Sequence, residues 1–228
     1  SEARLELLQQ ADATIVFCTP TYALRLAEVA RQQGIDLAAS RVSRIVVAGE
    51  HGGSLPSVRD RIESAWGARV IDHAGATEVG PWGYDCQEQT GLHLNEGEFI
   101  FEVIDPDTGD PATEGELVIT NLGRLGSPVL RYRTGDHVKL SQTPCPCGRT
   151  FRSLEGGVMG RIDDVLIVRG VNVYPSAIEN VIRAFPEVDE FAADVYRKGA
   201  MDDLHLRLEV TRGDGQAVAR AVERAIRD

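Results

Sequence analysis

Lysine is almost missing from this chain. Of 24 basic residues among 228, only Lys139 and Lys198 are lysines. Positive charge is short overall, because 35 acidic residues leave a formal net charge of -11. That balance argues against a nucleic-acid partner held through phosphate neutralisation. Cysteine is sparse as well. Four unevenly spaced cysteines in a chain this long do not make a disulfide framework. No apolar run approaches the roughly 20 residues that cross a bilayer, so neither a transmembrane helix nor a membrane partner is expected. The opening Ser1-Glu2-Ala3-Arg4-Leu5 has no basic stretch leading into an apolar one, so it does not read as a secretory signal. The expected setting is cytoplasmic. Internal repeats, low-complexity segments and a Gly-x-Gly-x-x-Gly fingerprint after a strand are all absent, and the last of these speaks against an ordinary dinucleotide fold.

What is present has the balance of a globular protein, 43% hydrophobic and 26% charged. The length suits one large domain or two unequal ones. Over the first 80 residues strand and helix alternate. Thr14 to Cys18, Arg44 to Ala48 and Arg69 to His73 are compact apolar stretches of strand length. A short helical run covers Ala3 to Gln10. Thr19-Pro20 reads as an N-cap with proline in the first turn, opening a helix that carries Leu24, Ala27 and Ala30 and stops at Gly34. Ser54 and Pro56 open another, with Leu55, Val58, Ile62 and Ala65 on one face and Gly67 at its end. This pattern predicts a mostly parallel sheet flanked by helices on both faces, with ligands beyond the carboxyl ends of its strands. Those ends carry Gly49-Glu50 and Gly75-Ala76-Thr77-Glu78.

After Gly80 short strands separated by turns predict a small antiparallel region, with strands at Phe99 to Ile104, Gly115 to Thr120 and Val129 to Tyr132. Beyond Gly160, two apolar stretches flank Arg169-Gly170 as a hairpin. A helix from Pro175 carries Ile178, Val181, Ile182 and Phe185. Strands at Glu190 to Tyr196 and Leu204 to Val210 follow, and a final helix carries Val218, Val222 and Ile226. The expected organisation is α/β. A large domain over 1–160 would comprise an α/β part (1–80) and a β region (81–160). A small α+β domain over 161–228 would follow.

Four short patterns occur in order: Ala48-Gly49-Glu50, Gly75-Ala76-Thr77-Glu78, Tyr132-Arg133-Thr134-Gly135-Asp136 and Gly160-Arg161-Ile162-Asp163-Asp164. Each alone has a plain structural reading: a helix cap at Thr77-Glu78, a strand and turn at Tyr132 to Asp136, a surface ion pair between Arg161 and Asp163 or Asp164. Together they resemble the adenylate-forming superfamily of acyl-CoA ligases and adenylation domains. The stretch Arg169-Gly170-Val171-Asn172-Val173-Tyr174-Pro175-Ser176 and the knuckle Cys145-Pro146-Cys147-Gly148-Arg149 are similar to its phenylacetate–CoA ligase branch.

The resemblance implies two-step chemistry. A small-molecule carboxylic acid, aryl or arylacetic, attacks ATP to give an acyl-adenylate and pyrophosphate, and coenzyme A then displaces AMP. Neither step uses a covalent protein nucleophile, so positioning and electrostatics carry the catalysis. By resemblance Thr77 bonds the α-phosphate, Glu78 helps hold Mg²⁺, Asp136 accepts the ribose hydroxyls and Arg161 meets the ribose or phosphate side. Gly49, Glu50, Ala74, Gly75 and Ala76 line the nucleotide and acyl pocket, and Asp163 marks the hinge of the small domain. The family often has an aromatic residue where this chain has Ala74, and His73 precedes it. The family's upstream phosphate loop and its late catalytic lysine are missing, so the chain reads as the C-terminal half of such an enzyme, with the small domain truncated and the half inactive alone. Loading of a carrier protein instead of coenzyme A is the alternative, and a non-catalytic nucleotide-binding or zinc-stabilised remnant is another. Family members are often homodimers.

Cys18 reads as a core residue. Cys86, His93, Cys145 and Cys147 make a chemically suitable tetrahedral Zn²⁺ set, although the spacing is not that of a standard finger. The alternative is reduced thiols near a turn. The resemblance favours a closed, structural zinc.

Overall fold

A computed structural model of the chain describes residues 1–168, 171–198 and 201–227. It divides into two compact units, Ser1–Met159 and Gly160–Asp228.

In the first unit, α1 (Glu2–Gln10), β1 (Ile15–Cys18), α2 (Pro20–Gln32), β2 (Arg44–Val47), α3 (Pro56–Trp66) and β3 (Arg69–Ala76) alternate as the apolar spacing predicts. Thr19 caps α2, its Oγ1 accepting the Tyr22 N–H at 3.3 Å, and Pro20 takes the first turn. Gly67 ends α3 in the left-handed region at φ 60°, which a side chain resists. Two details of α3 differ from expectation. Leu55, not Ser54, is its N-cap, because the Ser54 hydroxyl donates to Asp72 instead. Ala65 faces solvent, and the neighbouring Trp66 takes the buried position.

β1, β2 and β3 pair in parallel. Val16, Ile45, Val47 and Val70 form one core with Leu5, Leu26, Val58, Ile62 and Trp66 from the three helices. All three helices therefore pack on one side of these strands, whereas the apolar runs predicted helices on both. The indole N–H of Trp66 donates to the Ala23 carbonyl at 3.1 Å, satisfying the one polar atom that this ring buries.

The antiparallel strands continue the same sheet, in the order β1-β2-β3-β4-β5-β9-β8-β7-β6. They are β4 (Gly80–Tyr84), β5 (Gly91–Leu94), β6 (Phe99–Ile104), β7 (Glu114–Asn121), β8 (Tyr132–Leu140) and β9 (Ser153–Arg161). A second core, including Trp82, Leu94, Phe99, Phe101, Leu117, Ile119, Val138 and Leu154, lies within it. The parallel part is thus three strands of nine, and β4, β5 and β9 are additional to the sequence reading. β8 also begins where the expected Val129 to Tyr132 strand was to end. Arg131 sits at φ 46°, a left-handed turn that cannot continue a strand, so pairing starts at Tyr132.

In the second unit β10 (Leu166–Val168) and β11 (Val171–Val173) form a two-stranded ladder. The Arg169-Gly170 turn falls outside the described residues. α4 (Pro175–Arg183) and α5 (Gly215–Arg227) pack on the hairpin of β12 (Val188–Lys198) and β13 (Met201–Val210) around Ile178, Ile182, Val188 and Val222.

Trp66 is 1% exposed and spans α3 to α2. Trp66→Ala is expected to destabilise the first unit by about 3–5 kcal/mol, the cost of an aromatic-sized cavity. Urea unfolding followed by circular dichroism measures this.

Candidate functional site

β3 carries two ladders. Arg69–Asp72 pair with β2, and His73–Ala76 turn to pair antiparallel with β4, with a register shift between Ala74 and Gly75. Gly75 and Ala76 are therefore strand residues, and Thr77-Glu78 form the exposed turn that leads into β4. No helix follows, which removes the helix-cap reading of Thr77-Glu78. A Cβ on Gly75 would come within 3.2 Å of the Gly80 carbonyl and the Pro81 Cα, so the turn closes tightly there. Ala74 and Ala76 pack against the second core.

The turn is tied to the connection between β7 and β8. The Asn121 side-chain amide donates to the Val79 carbonyl at 2.7 Å, and Arg124 donates to the Glu78 carbonyl. Glu78 thus keeps its carboxylate free of these ties. Neither Asn121 nor Arg124 was singled out in the sequence.

Asp136 lies within β8, opposite an irregularity in β7 between Glu116 and Val118. Glu116, 5% exposed, shapes this segment. One of its carboxylate oxygens accepts the Gly135 N–H at 3.2 Å, and the other accepts Arg133 Nε at 2.7 Å. The Thr134 hydroxyl donates to the Leu117 carbonyl at 2.9 Å while accepting the Asp136 N–H at 3.0 Å. Gly135 has φ 74°, which places it where glycine is favoured. The segment is strand rather than strand and turn. Glu116 was missed in the sequence; an acidic residue inside an apolar strand run was its signal.

Glu50 follows Gly49, whose φ is 86°. Its carboxylate accepts the Thr21 N–H at 3.1 Å and the Thr21 hydroxyl at 2.9 Å, so it docks on the first turn of α2. Arg161 and Asp163 belong to the second unit and pair with each other, Nε to Oδ1 at 2.9 Å and Nη2 to Oδ2 at 3.2 Å. The Arg161 guanidinium holds the Asp163 carboxyl below its ordinary pKa.

Cys86, His93, Cys145 and Cys147 converge, with their ligand atoms all within 4.8 Å of one another. Cys86 Sγ is 3.6 Å from Cys145 Sγ, and Cys147 Sγ is 3.4 Å from His93 Nε2. The first distance is far from a disulfide bond. A tetrahedron with Zn–S near 2.3 Å and Zn–N near 2.0–2.1 Å requires S···S of about 3.8 Å and S···N of about 3.6 Å. The donor set therefore fits that ion in type and in spacing. His93 is buried, stacks on Tyr84, and has Nδ1 3.4 Å from the Phe151 carbonyl. That contact leaves Nε2 facing the sulfurs. The Arg149 backbone N–H and guanidinium hold the Cys147 thiol down to about 6, and burial pushes Cys86 up to about 11.

The same loop is fixed to α3. Arg59, 8% exposed, donates to the Gly53 carbonyl at 3.1 Å and the Gln89 carbonyl at 3.1 Å, and the Gln89 amide reaches Glu63 and the Val70 carbonyl.

Residues 170–228 match the family model described as AMP-binding enzyme C-terminal domain. Phenylacetate-coenzyme A ligase of Thermus thermophilus is 37% identical over 218 residues, covering 92% of this chain and 48% of that protein. Its Escherichia coli counterpart is 34% identical over 218 residues with the same coverage. The chain resembles the C-terminal half of the phenylacetate–CoA ligase branch of the adenylate-forming superfamily. It spans about half the length of the curated relatives it matches. Among solved structures, 2-hydroxyisobutyryl-CoA ligase in the postadenylation state with R3-HIB-AMP aligns at TM-score 0.90 and 31% identity, over 98% of this chain and 51% of that one. The same ligase in the thioesterification state, with 2-HIB-AMP and CoA, aligns at 0.68 and 33% identity over 99% and 48%.

Beneath the β3 end, Asp72 is held by Ser54 and by the His73 N–H at 2.9 Å. Burial, aided by the nearby Asp85 carboxylate, pushes its pKa up to about 6. A folded-state pKa above the unfolded value means that the folded form binds the extra proton. This contribution to stability is present at low pH and is lost as pH rises from about 4 through about 6. Asp72→Asn keeps an acceptor for His73 and should stabilise the chain above pH 6 by up to about 3 kcal/mol, with little effect at pH 4. Urea titrations at both pH values measure it; equal effects at the two would remove the buried-carboxylate explanation.

Proposed function

We propose that this chain is the C-terminal half of an AMP-forming acid–CoA ligase and carries the nucleotide side of its active site. The carrying observation is the cross-tied pair of motifs in the first unit. The Thr77-Glu78 turn is tied by Asn121 and Arg124, and the Asp136 segment is set by Glu116. Preorganised groups of this kind suit a reaction that runs on positioning. Thr77 donates its hydroxyl to the α-phosphate of ATP. Asp136 accepts both ribose hydroxyls. Arg161 leaves Asp163 to balance the developing negative charge, with Asp163 at the hinge between the two units. Gly49 and Glu50 rim the pocket, with Ala74, Gly75 and Ala76 along its β3 side. Glu78, on an exposed turn, is suited to share Mg²⁺ with substrate phosphates, and that ion would neutralise phosphate charge. An aryl or arylacetic acid as substrate and coenzyme A as acceptor are supported by the named activities of the relatives.

Cys86, His93, Cys145 and Cys147 hold a structural Zn²⁺ that joins the connection after β4 to the one before β9. The full donor set leaves no open position for catalysis. Free thiols at such a site suit a reducing compartment, the cytoplasm.

Calorimetric titration with a non-reactive aryl-acyl-adenylate mimic tests the nucleotide site. Asp136→Ala should weaken binding about 30-fold, the loss of two hydrogen bonds to a charged group. Equal affinity in the variant would sink the assignment. For the metal, elemental analysis should find one zinc per chain. Cys86→Ser with Cys147→Ser should abolish it and lower the melting temperature by on the order of 10 °C. A zinc-free chain with the same melting temperature would exclude the structural role.

A further inference from the structure

The four donors of the Cys/His cluster are not equivalent. His93 and Cys147 face each other, Nε2 to Sγ at 3.4 Å, and His93 is buried. Cys86 and Cys145 form a second pair, Sγ to Sγ at 3.6 Å, although 59 positions separate them in the chain. Two tight turns present that second pair. The Gln89 N–H donates to the Cys86 carbonyl at 3.2 Å, and the Gly148 N–H donates to the Cys145 carbonyl at 3.2 Å. Arg59 anchors the first turn through the Gln89 carbonyl at 3.1 Å. Cys86, Cys145 and Cys147 are all free thiols and partly exposed.

Shortening the 3.6 Å contact to a bond of about 2.05 Å takes a shift of less than about 1 Å from each sulfur, which side-chain rotation supplies. The other pairings lack this advantage. Cys145 and Cys147 flank one proline, whose fixed φ stiffens the small ring that they would close. Cys147 is turned toward His93.

We propose that Cys86 and Cys145 are an oxidation site, which hydrogen peroxide converts to a disulfide as the zinc leaves. One thiolate attacks a peroxide oxygen, the O–O bond breaks and hydroxide departs, which leaves a sulfenic acid. The second thiolate attacks that sulfur, the S–O bond breaks, and a second hydroxide departs as the S–S bond forms. Two electrons pass from the sulfurs to the peroxide. A closed zinc site that loses two thiolates keeps only Cys147 and His93, too few to hold the ion. The new bond ties the same two connections, after β4 and before β9, so the clasp survives the loss of its metal. The identity of the released ion rests on the structural zinc proposed above, and the bond itself does not.

Peptide mapping by mass spectrometry decides it. Hydrogen peroxide in slight excess is added to the 228-residue chain, zinc-loaded and zinc-stripped. The map should show one Cys86–Cys145 bond within the chain, with free thiols falling from four to two, Cys18 and Cys147. A metal-sensitive dye should report zinc leaving in step with the bond, and dithiothreitol with added zinc should reverse both. The oxidised zinc-free chain should melt above the reduced zinc-free chain, since it keeps a cross-link over 59 positions. Cys147→Ser should leave the bond able to form, and Cys145→Ser should abolish it. Sulfinic acid at these sulfurs in place of the bond, a bond through Cys147 or Cys18, a bond between two chains, or zinc held after the bond has formed overturns the proposal. A reduced chain that carries no zinc yet forms the bond sinks the structural zinc and upholds the oxidation site.

Discussion

β3 must serve two ladders at once, and the first unit is organised around that constraint. Its first four residues pair in parallel with β2, and its last four pair antiparallel with β4. The change falls at Asp72 and His73. There the Asp72 carbonyl accepts the Asp85 N–H at 2.9 Å, and the Asp72 side chain takes Ser54. A strand that changes partners in this way joins a helix-covered parallel sheet to an antiparallel one without a linker. It also delivers Gly75-Ala76-Thr77-Glu78 to the edge of the second core instead of to a loop beyond a parallel sheet. The position of the candidate nucleotide site follows from the switch.

The polar groups buried in this unit sit where segments need fixing. Arg59 holds the 3-10 turn His51–Gly53 and the loop bearing Gln89 at the same time. Glu116 holds the glycine of the Arg133-Thr134-Gly135-Asp136 segment. Removal of either would leave a partner buried and unsatisfied, which costs more than the bond itself contributes. The cores alone would leave these segments without a set conformation, because apolar packing is not directional.

Apolar periodicity was enough to read α1 to α3, β1 to β3 and the second unit, since each rests on a local repeat of 2 or 3.6 residues. The strands that escaped are short or glycine-rich. β4 is Gly80-Pro81-Trp82-Gly83-Tyr84, and β9 contains Gly156 and Gly157 at positive φ. Neither shows an alternation that propensity would recognise. The metal-type cluster was legible from residue chemistry together with the family resemblance, because few side chains other than Cys and His suit such a set. Its members lie up to 61 positions apart, from Cys86 to Cys147. Of the residues that shape the motifs, Glu116 left only the trace of an acid inside an apolar strand run, and Asn121, Arg124 and Thr21 left none. Each acts across strands or loops through pairings that sequence spacing does not reveal.

The two arginines in the motifs show how one residue type serves two ends. Arg133 pairs with Glu116, whose side chain is only 6% exposed, and that carboxylate has no water to fall back on. Its partner is therefore fixed, and the guanidinium belongs to the architecture of the Asp136 segment. Arg161 pairs with Asp163 two residues away, with side chains 41% and 66% exposed. Exposed pairs of this kind contribute little, since water replaces each partner at small cost. That exposed pair can give way to one with a phosphate without disturbing a core. The ion pair that looks like the plain structural reading of the Gly160-Arg161-Ile162-Asp163-Asp164 motif is thus compatible with a catalytic one. The exposed pair keeps the guanidinium ordered beside Asp163.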